Sequence, residues 1–518
     1  MKRFLNKCLS GVFAAVGAFA VSAAEPPNLI FITMDDMNWD SMGAYGSTIP
    51  DITPHMDQLA SEGLRFEHAY VAAPSCVPSR NAFMTGRHSS ASGVMGFYNV
   101  ESGHYETLPE SLRNAGYYTA VVHKPRDTSL HDDYDEFWDY HFIIPADDKR
   151  NAPAVGQQVT AFLEKAEEHE GPFFAVINIA DPHKPFFGDE KQNEGGSFVP
   201  PSRVYTADEI EVPAFLPDLP KIRQEVARYY NSVKRGDDCL GAVVQSLKDN
   251  DVYENSVIMF ISDHGMPLPY AKGSLFREGL RTPWVVRWPG KLQPGSVDRD
   301  HPISAVDLMP TLLDIAGIEV PAGVQGRSFL PLLDGETQPD RDYVYAQYNE
   351  NAGGLLFPMR SVQTRRYNYI FNPWSNGETE FVTASTWTPT YNSMKRAAQN
   401  HPDAKARFKH WVHRSVEELY DHDKDPHGLV NVIDDPAYAE VAETMRAEME
   451  SWMRTSNDYV LQAFLNRGDS GFLGEWMALR DAEALQRAET LQWKRYKNRV
   501  GGTGKRTERY VPSSTVED

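Results

Sequence analysis

Asn28-Leu29-Ile30-Phe31-Ile32-Thr33-Met34-Asp35-Asp36 is an apolar, β-branched run that stops abruptly on two carboxylates. A run with no polar alternation reads as a strand buried on both faces of a sheet. Similar runs occupy residues 117–122, 173–179 and 256–262, and helix signals lie between them. Thr53-Pro54 places a cap and a first-turn proline before a helix ending near Gly63. Thr107-Leu108-Pro109-Glu110 is a capping box that opens a helix running to Gly116. Asp237-Asp238-Cys239-Leu240-Gly241-Ala242-Val243-Val244 has an amphipathic helical pattern, and residues 307–316 form another helix closed by Gly317. Strands alternating with helices predict an α/β fold built on a mainly parallel sheet flanked by helices.

The residues just beyond the strands matter more than the strands themselves. Asp35 and Asp36 come after the first, Lys124 after the second, Asp181 and His183 after the third, and Asp263 and His264 after the fourth. Ligands of open α/β sheets bind beyond the carboxyl ends of the strands. Any one of these residues alone would read as a turn aspartate or a solvated charge. Together they mark a site.

After residue 340 the composition changes. Residues 343–347, 359–364 and 367–372 read as short antiparallel strands, and 436–453 as a helix. The expected organisation is a catalytic domain over 25–340, a smaller C-terminal α+β domain over 341–456, and an extension over 457–518. That extension holds a helical stretch (473–496) and a Gly-, Arg- and Ser-rich tail expected to be mobile. At the other end Lys2, Arg3 and Lys7 precede an apolar run and Ser22-Ala23-Ala24, the pattern of an export signal over 1–24. The run is shorter than the roughly 20 residues that span a bilayer. The expected location is periplasmic or secreted, with no membrane anchor.

The 518 residues are 41% hydrophobic and 24% charged, which suits a large globular core rather than a disordered or fibrous chain. A net charge of −21 argues against nucleic acid as a partner, since phosphate binding needs clustered cations. It does not forbid a local basic pocket. If Cys8 leaves with the signal, only Cys76 and Cys239 remain, too few for a disulfide scaffold. Cys239 reads as a small core residue.

Cys76 stands in Cys76-Val77-Pro78-Ser79-Arg80, followed by Met84-Thr85-Gly86-Arg87. These segments resemble the signature of type I sulfatases, C/S-x-P-S-R and then T-G-R. The resemblance implies an alkaline-phosphatase-like fold, and a cysteine that a maturation enzyme oxidises to formylglycine. The hydrated aldehyde carries two hydroxyls on one carbon. One attacks sulfur to form a covalent sulfate ester. The other is then deprotonated, so that the C–O bond breaks, sulfate leaves and the aldehyde returns.

Asp35, Asp36, Asp263 and His264 form a second group. Three carboxylates from two strand ends suit a hard cation, Ca²⁺ more readily than Mg²⁺, although imidazole is less typical for calcium. The resemblance implies that this ion also touches the oxygen at position 76. Arg80, Lys124 and Lys272 supply positive charge for the sulfuryl oxygens. His183, in Asp181-Pro182-His183, resembles the family's leaving-group contact and would protonate the departing oxygen. Lys272 opens a stretch to Pro283 that resembles the family's K-x-x-x-[YF]-x-E-G-x-R-x-P segment, in which Arg281 reads as structural. In one place the chain departs from the family. His123-Lys124-Pro125-Arg126 has Arg126 where a histidine is usual, and Arg stays protonated. Either His123 substitutes, or an aspartate or water takes that step.

The resemblance is to the heparan N-sulfatase (sulfamidase)-like branch and its bacterial polysaccharide-sulfatase relatives. It is carried by Gly93-Val94-Met95-Gly96, Pro358-Met359-Arg360-Ser361-Val362-Gln363, Glu418-Leu419-Tyr420-Asp421 and Asp425-Pro426-His427. Arg360 and Arg365 are candidate contacts for an anionic sugar. The substrate class implied is a sulfated polysaccharide or oligosaccharide, such as algal polysaccharide or glycosaminoglycan. Two other readings stand beside it: a phosphonate or phosphate ester hydrolase of the same superfamily, and an unmatured protein that only binds sulfated glycans.

Overall fold

The computed structural model describes residues 26–97, 105–189, 198–351 and 354–490. The export-signal segment and the tail past residue 490 lie outside them. The strands, in chain order, are β1 (Asn28–Met34), β2 (Leu64–Phe66), β3 (Ala69–Tyr70), β4 (Tyr118–Val122), β5 (Tyr140–Phe142), β6 (Phe173–Asn178), β7 (Ser256–Ser262), β8 (Trp284–Arg287), β9 (Ser296–Asp298), β10 (Ile303–Ser304), β11 (Val344–Glu350), β12 (Leu356–Gln363), β13 (Tyr367–Phe371) and β14 (Glu417–Asp421).

The central sheet runs β5-β4-β6-β1-β7-β8-β2-β9. Five neighbouring strands, from β5 to β7, are parallel, whereas β8 pairs antiparallel with both β7 and β2. β1 sits in the middle and is buried along nearly its whole length, as its apolar run requires. The register places Thr33 beside Asn178 and Met34 beside Ser262. β4, β6, β1 and β7 therefore end together, which is why their trailing polar residues converge.

Helices cover the sheet. Pro54–Ser61 and Leu308–Ile315 form where expected, and Leu108–Asn114 carries the capping box of Thr107 and Glu110. The 30-residue helix Pro220–Asp249 buries Cys239 and passes close to the end of β1. There a Cβ on Gly236 would lie 2.3 Å from Met34 Cε and 3.2 Å from Asp181 Cβ, which shows how closely the helix passes the strand ends.

The second sheet is antiparallel, in the order β11-β12-β13-β14. Helix Ala439–Thr455 packs on it through Met445, Met449 and Trp452, over Val362, Tyr369 and Phe371. This sheet bonds to loops beside the first. Gln347 N–H donates to Ala72 O at 2.9 Å, and Asn368 Nδ2 to Leu275 O at 2.9 Å. Helix Ser470–Thr490 comes last. No helix among the described residues is long and apolar enough to cross a membrane.

Candidate active site

Cys76 is the first residue of helix Cys76–Thr85, with Ser75 as its cap and Gly86, at φ 60°, closing it. A helix N-terminus presents unpaired N–H groups and a positive dipole end, which favour an anion. Cys76 is buried, and its Sγ lies 3.3 Å from His264 Nε2, 3.3 Å from Lys272 Nζ and 3.7 Å from Asp35 Oδ1. Burial pushes the thiol well above its usual pKa, with Lys272 opposing and Asp35 and Asp263 assisting. The group is therefore a neutral thiol, a poor nucleophile as it stands.

The carboxylates are held by the turns after β1 and β7. Asp36 adopts φ 71°, and its N–H donates to Asp263 Oδ1 at 3.0 Å, which locks the two turns together. His123 (φ 65°), Lys124 (φ 51°) and Tyr270 (φ 74°) share this left-handed conformation. Backbone strain of this kind gathers where function fixes a side chain.

Charge balances charge at close range. Lys124 Nζ pairs with Asp35 Oδ2 and lies 3.4 Å from Asp127, while Lys272 Nζ meets Asp36 Oδ1 at 2.6 Å. Burial alone would raise the Asp35 pKa. Lys124, His183, Arg80 and Lys272 outweigh it and hold the carboxyl well below its usual range. Arg80 is buried: Nε donates to Asp263 Oδ2 at 3.1 Å and Nη1 to Thr33 Oγ1 at 2.7 Å and Asn178 Oδ1, while Nη2 lies 2.9 Å from Asp263 Oδ2 but makes no hydrogen bond among the described residues.

His264 and the carboxylates fit a cation. Nδ1 of His264 donates to Gly265 O at 2.9 Å, which turns Nε2 toward Asp36 Oδ1 at 3.2 Å. Asp36 Oδ2 is buried without a hydrogen-bond donor. Ligand atoms of Asp35, Cys76, Asp263 and His264 lie within 4.8 Å of one another, as do those of Asp35, Asp36 and His183. Oxygen-rich donors of this kind suit a divalent ion.

His183 stands at the rim. Its side chain is 40% exposed, Nε2 is 4.0 Å from Asp36 Oδ2, and Nδ1 meets Lys184 O at 2.6 Å. Burial lowers its pKa, against the pull of Asp36 and Asp35.

Several expected contacts fall elsewhere. Arg126 is paired loosely with Asp132 (3.8 Å) at an exposed position. His123 is buried, its Nδ1 is unpaired, and burial with Lys124 and Lys149 lowers its pKa to about 3. Arg360 is fully buried and clamped by Asp458, with Nη2 to Oδ1 at 2.9 Å. Arg365 pairs with Asp300 at 3.1 Å on the surface. Neither of the last two contacts Cys76: Arg360 is buried in the second sheet and Arg365 lies on the surface.

The structure adds residues that the sequence did not reveal. Asp181 is gripped by Arg150 (3.0 Å) and Arg235 (2.6 Å), and Arg150 Nη2 donates to His183 O at 2.7 Å. Asn178 links Arg80 to His123 O. A polar residue ending the apolar run of β6 was the available signal for Asn178. The two arginines gave none, because only the tertiary fold brings them to Asp181. Lys149, beside Arg150, is half-buried without an ion pair among the described residues, and burial, Arg150 and Lys124 lower its pKa.

The family described as Sulfatase matches residues 27–318, and the one described as N-sulphoglucosamine sulphohydrolase, C-terminal, matches residues 263–383. The chain belongs to the sulfatase family, the sulfuric ester hydrolases. Human N-sulphoglucosamine sulphohydrolase is 28% identical over 84% of this chain and 91% of its own. An ulvan-active sulfatase of Formosa agariphila is 28% identical over 84% and 76%. Among solved structures, a 2-O GAG sulfatase aligns with a TM-score of 0.63 at 23% identity, covering 84% of this chain and 93% of that one. A phosphonate monoester hydrolase of Agrobacterium radiobacter aligns at 0.61 and 18%, covering 83% and 96%. These two show the alkaline-phosphatase-like fold, which both chemistries use.

Proposed function

We propose that this sulfatase removes sulfate groups from a sulfated glycan, an algal polysaccharide or a glycosaminoglycan, after Cys76 has been converted to formylglycine by a maturation enzyme. The observation that carries the reading is the environment of Cys76: a buried side chain at a helix N-terminus, ringed by Lys272, Asp35 and His264. Unmodified, that thiol has no second hydroxyl with which to expel sulfate from a covalent ester. As formylglycine hydrate, the same position offers a hydroxyl for attack on sulfur and a second for release of sulfate.

Sγ stands in for the attacking oxygen. Asp35 Oδ1, 3.7 Å away, takes the proton from that hydroxyl. Lys272 and Lys124 flank the sulfuryl oxygens with fixed positive charge, where it stabilises the transition state most. Arg80, bound to Asp263 and Asn178, sets the carboxylates and the electrostatic potential from below. His183 presents Nε2 at the open rim, and its imidazolium form gives a proton to the departing oxygen or nitrogen. Asp35, Asp36, Asp263, His264 and the oxygen at position 76 would hold Ca²⁺. A bound calcium ion would lower the hydroxyl pKa and neutralise sulfate charge.

The same proposal includes export through residues 1–24 to the periplasm or medium, a site within 25–340, and a pocket wall from 341–456. A panel of aryl sulfate, phosphonate monoester and phosphodiester substrates tests the reaction class. Sulfate ester turnover should dominate, and faster phosphonate hydrolysis would overturn the reading.

A further inference from the structure

Trp387 is 73% exposed, more than any other large hydrophobic side chain among the described residues. It ends the short turn Ala384–Trp387. That turn is tied at both ends to neighbours of the reacting groups. At one end, Thr383 packs against Gly273, where an added Cβ would lie 3.0 Å from Thr383 Cβ. Gly273 directly follows Lys272, and its N–H bonds Pro74 O at 2.7 Å, two residues before Cys76. At the other end, Thr390 N–H donates to Glu225 Oε2 at 2.6 Å, and Glu225 Oε1 holds Lys184, the residue after His183.

The tryptophan lies between these ties. With a rise of about 2 Å per residue in such a turn, its backbone stays within about 8 Å of Thr383. Thr388, which caps helix Pro389–Ala397 by accepting from Tyr391 N–H at 3.1 Å, fixes the chain immediately after it. An exposed indole on a rigid support offers a large flat apolar face with a polar edge, which suits the C–H face of a sugar ring.

We propose that Trp387 is a stacking platform for a second sugar ring of the substrate, beside the ring whose sulfate is held at Cys76 and on the leaving-group side marked by His183. This rests on the sulfated-glycan reading and sharpens it: the substrate is a chain of at least two residues, and the enzyme recognises more of it than the sulfate.

Calorimetric titration of the full-length, unmatured protein tests the platform without turnover. The probes are heparin-derived and ulvan-derived tetrasaccharides and their sulfated monosaccharides. A tetrasaccharide should bind tighter than its monosaccharide, and Trp387→Ala should weaken it by about fivefold to tenfold, with Trp387→Phe recovering part of the loss. Monosaccharide binding should not change. Equal affinity for long and short ligands, an unaffected Trp387→Ala, or no binding of either tetrasaccharide would overturn the platform. Hydrolysis of 4-nitrophenyl sulfate by the matured protein, measured alongside, reports the reaction class independently. Its absence with Trp387-dependent binding intact would sink the sulfatase chemistry but not the platform.

Discussion

Lys272 Nζ lies 3.3 Å from Cys76 Sγ and 2.6 Å from Asp36 Oδ1, so one ammonium touches both the reacting residue and a carboxylate of the cation site. Burial would favour loss of its proton. Asp36, Cys76 and Asp35 outweigh that and raise its pKa, so the charge persists. Lys272→Ala should lower kcat on an aryl sulfate by about a hundredfold or more, the scale of losing one transition-state charge contact. Lys272→Arg should not restore it, because a planar guanidinium cannot occupy the same point. A kcat within a factor of a few of wild type in the alanine variant would remove Lys272 from the chemistry.

Removing metal should abolish sulfate release, and added Ca²⁺ should restore it. Calcium should also raise the melting temperature of chelator-treated protein, because binding to the folded state alone stabilises it. In Asp36→Asn the calcium-induced rise should shrink. Unchanged turnover in excess chelator would contradict the assignment of Asp35, Asp36, Asp263 and His264.

Arg360 and Asp458 form an ion pair buried on both sides. Asp458→Ala should cost about 3–5 kcal/mol in urea denaturation by stranding a buried guanidinium. Replacing the pair by Met and Leu should recover most of that loss. A surface-like cost below about 0.5 kcal/mol would mean that Arg360 is free to serve a ligand.

Stability should fall on mild acidification. Burial lowers the pKa of His68 and His410 to about 4 and that of His422 to about 3. An unfolded histidine titrates near 6.5, so the unfolded chain takes up protons first. The stabilisation is complete above pH about 6.5 and is lost as pH falls toward those folded values. Urea midpoints between pH 7.5 and 5 should therefore decline. His410, held between Tyr420 and Tyr270, makes a good test, and His410→Gln should flatten the slope. A level profile in wild type would contradict it.

Much of this was legible in the chain. The run ending in Asp35 and Asp36 announced a central strand because an unbroken apolar segment has few other stable settings. Its trailing carboxylates announced a site because parallel strands end together. Cys76 and Lys272 were legible through local motifs. Arg360 was not, since its partner Asp458 lies 98 residues away and exposure is a tertiary property. Arg150 and Arg235 escaped for the same reason. Arg126 looked anomalous in sequence, and the structure places it at an exposed position opposite Asp132.

The most direct test is the mass of the peptide carrying residue 76, taken from a preparation of the native protein that is releasing sulfate from a sulfated glycan. The aldehyde of formylglycine is expected at that position. An unmodified thiol in a fully active preparation would contradict the proposed chemistry.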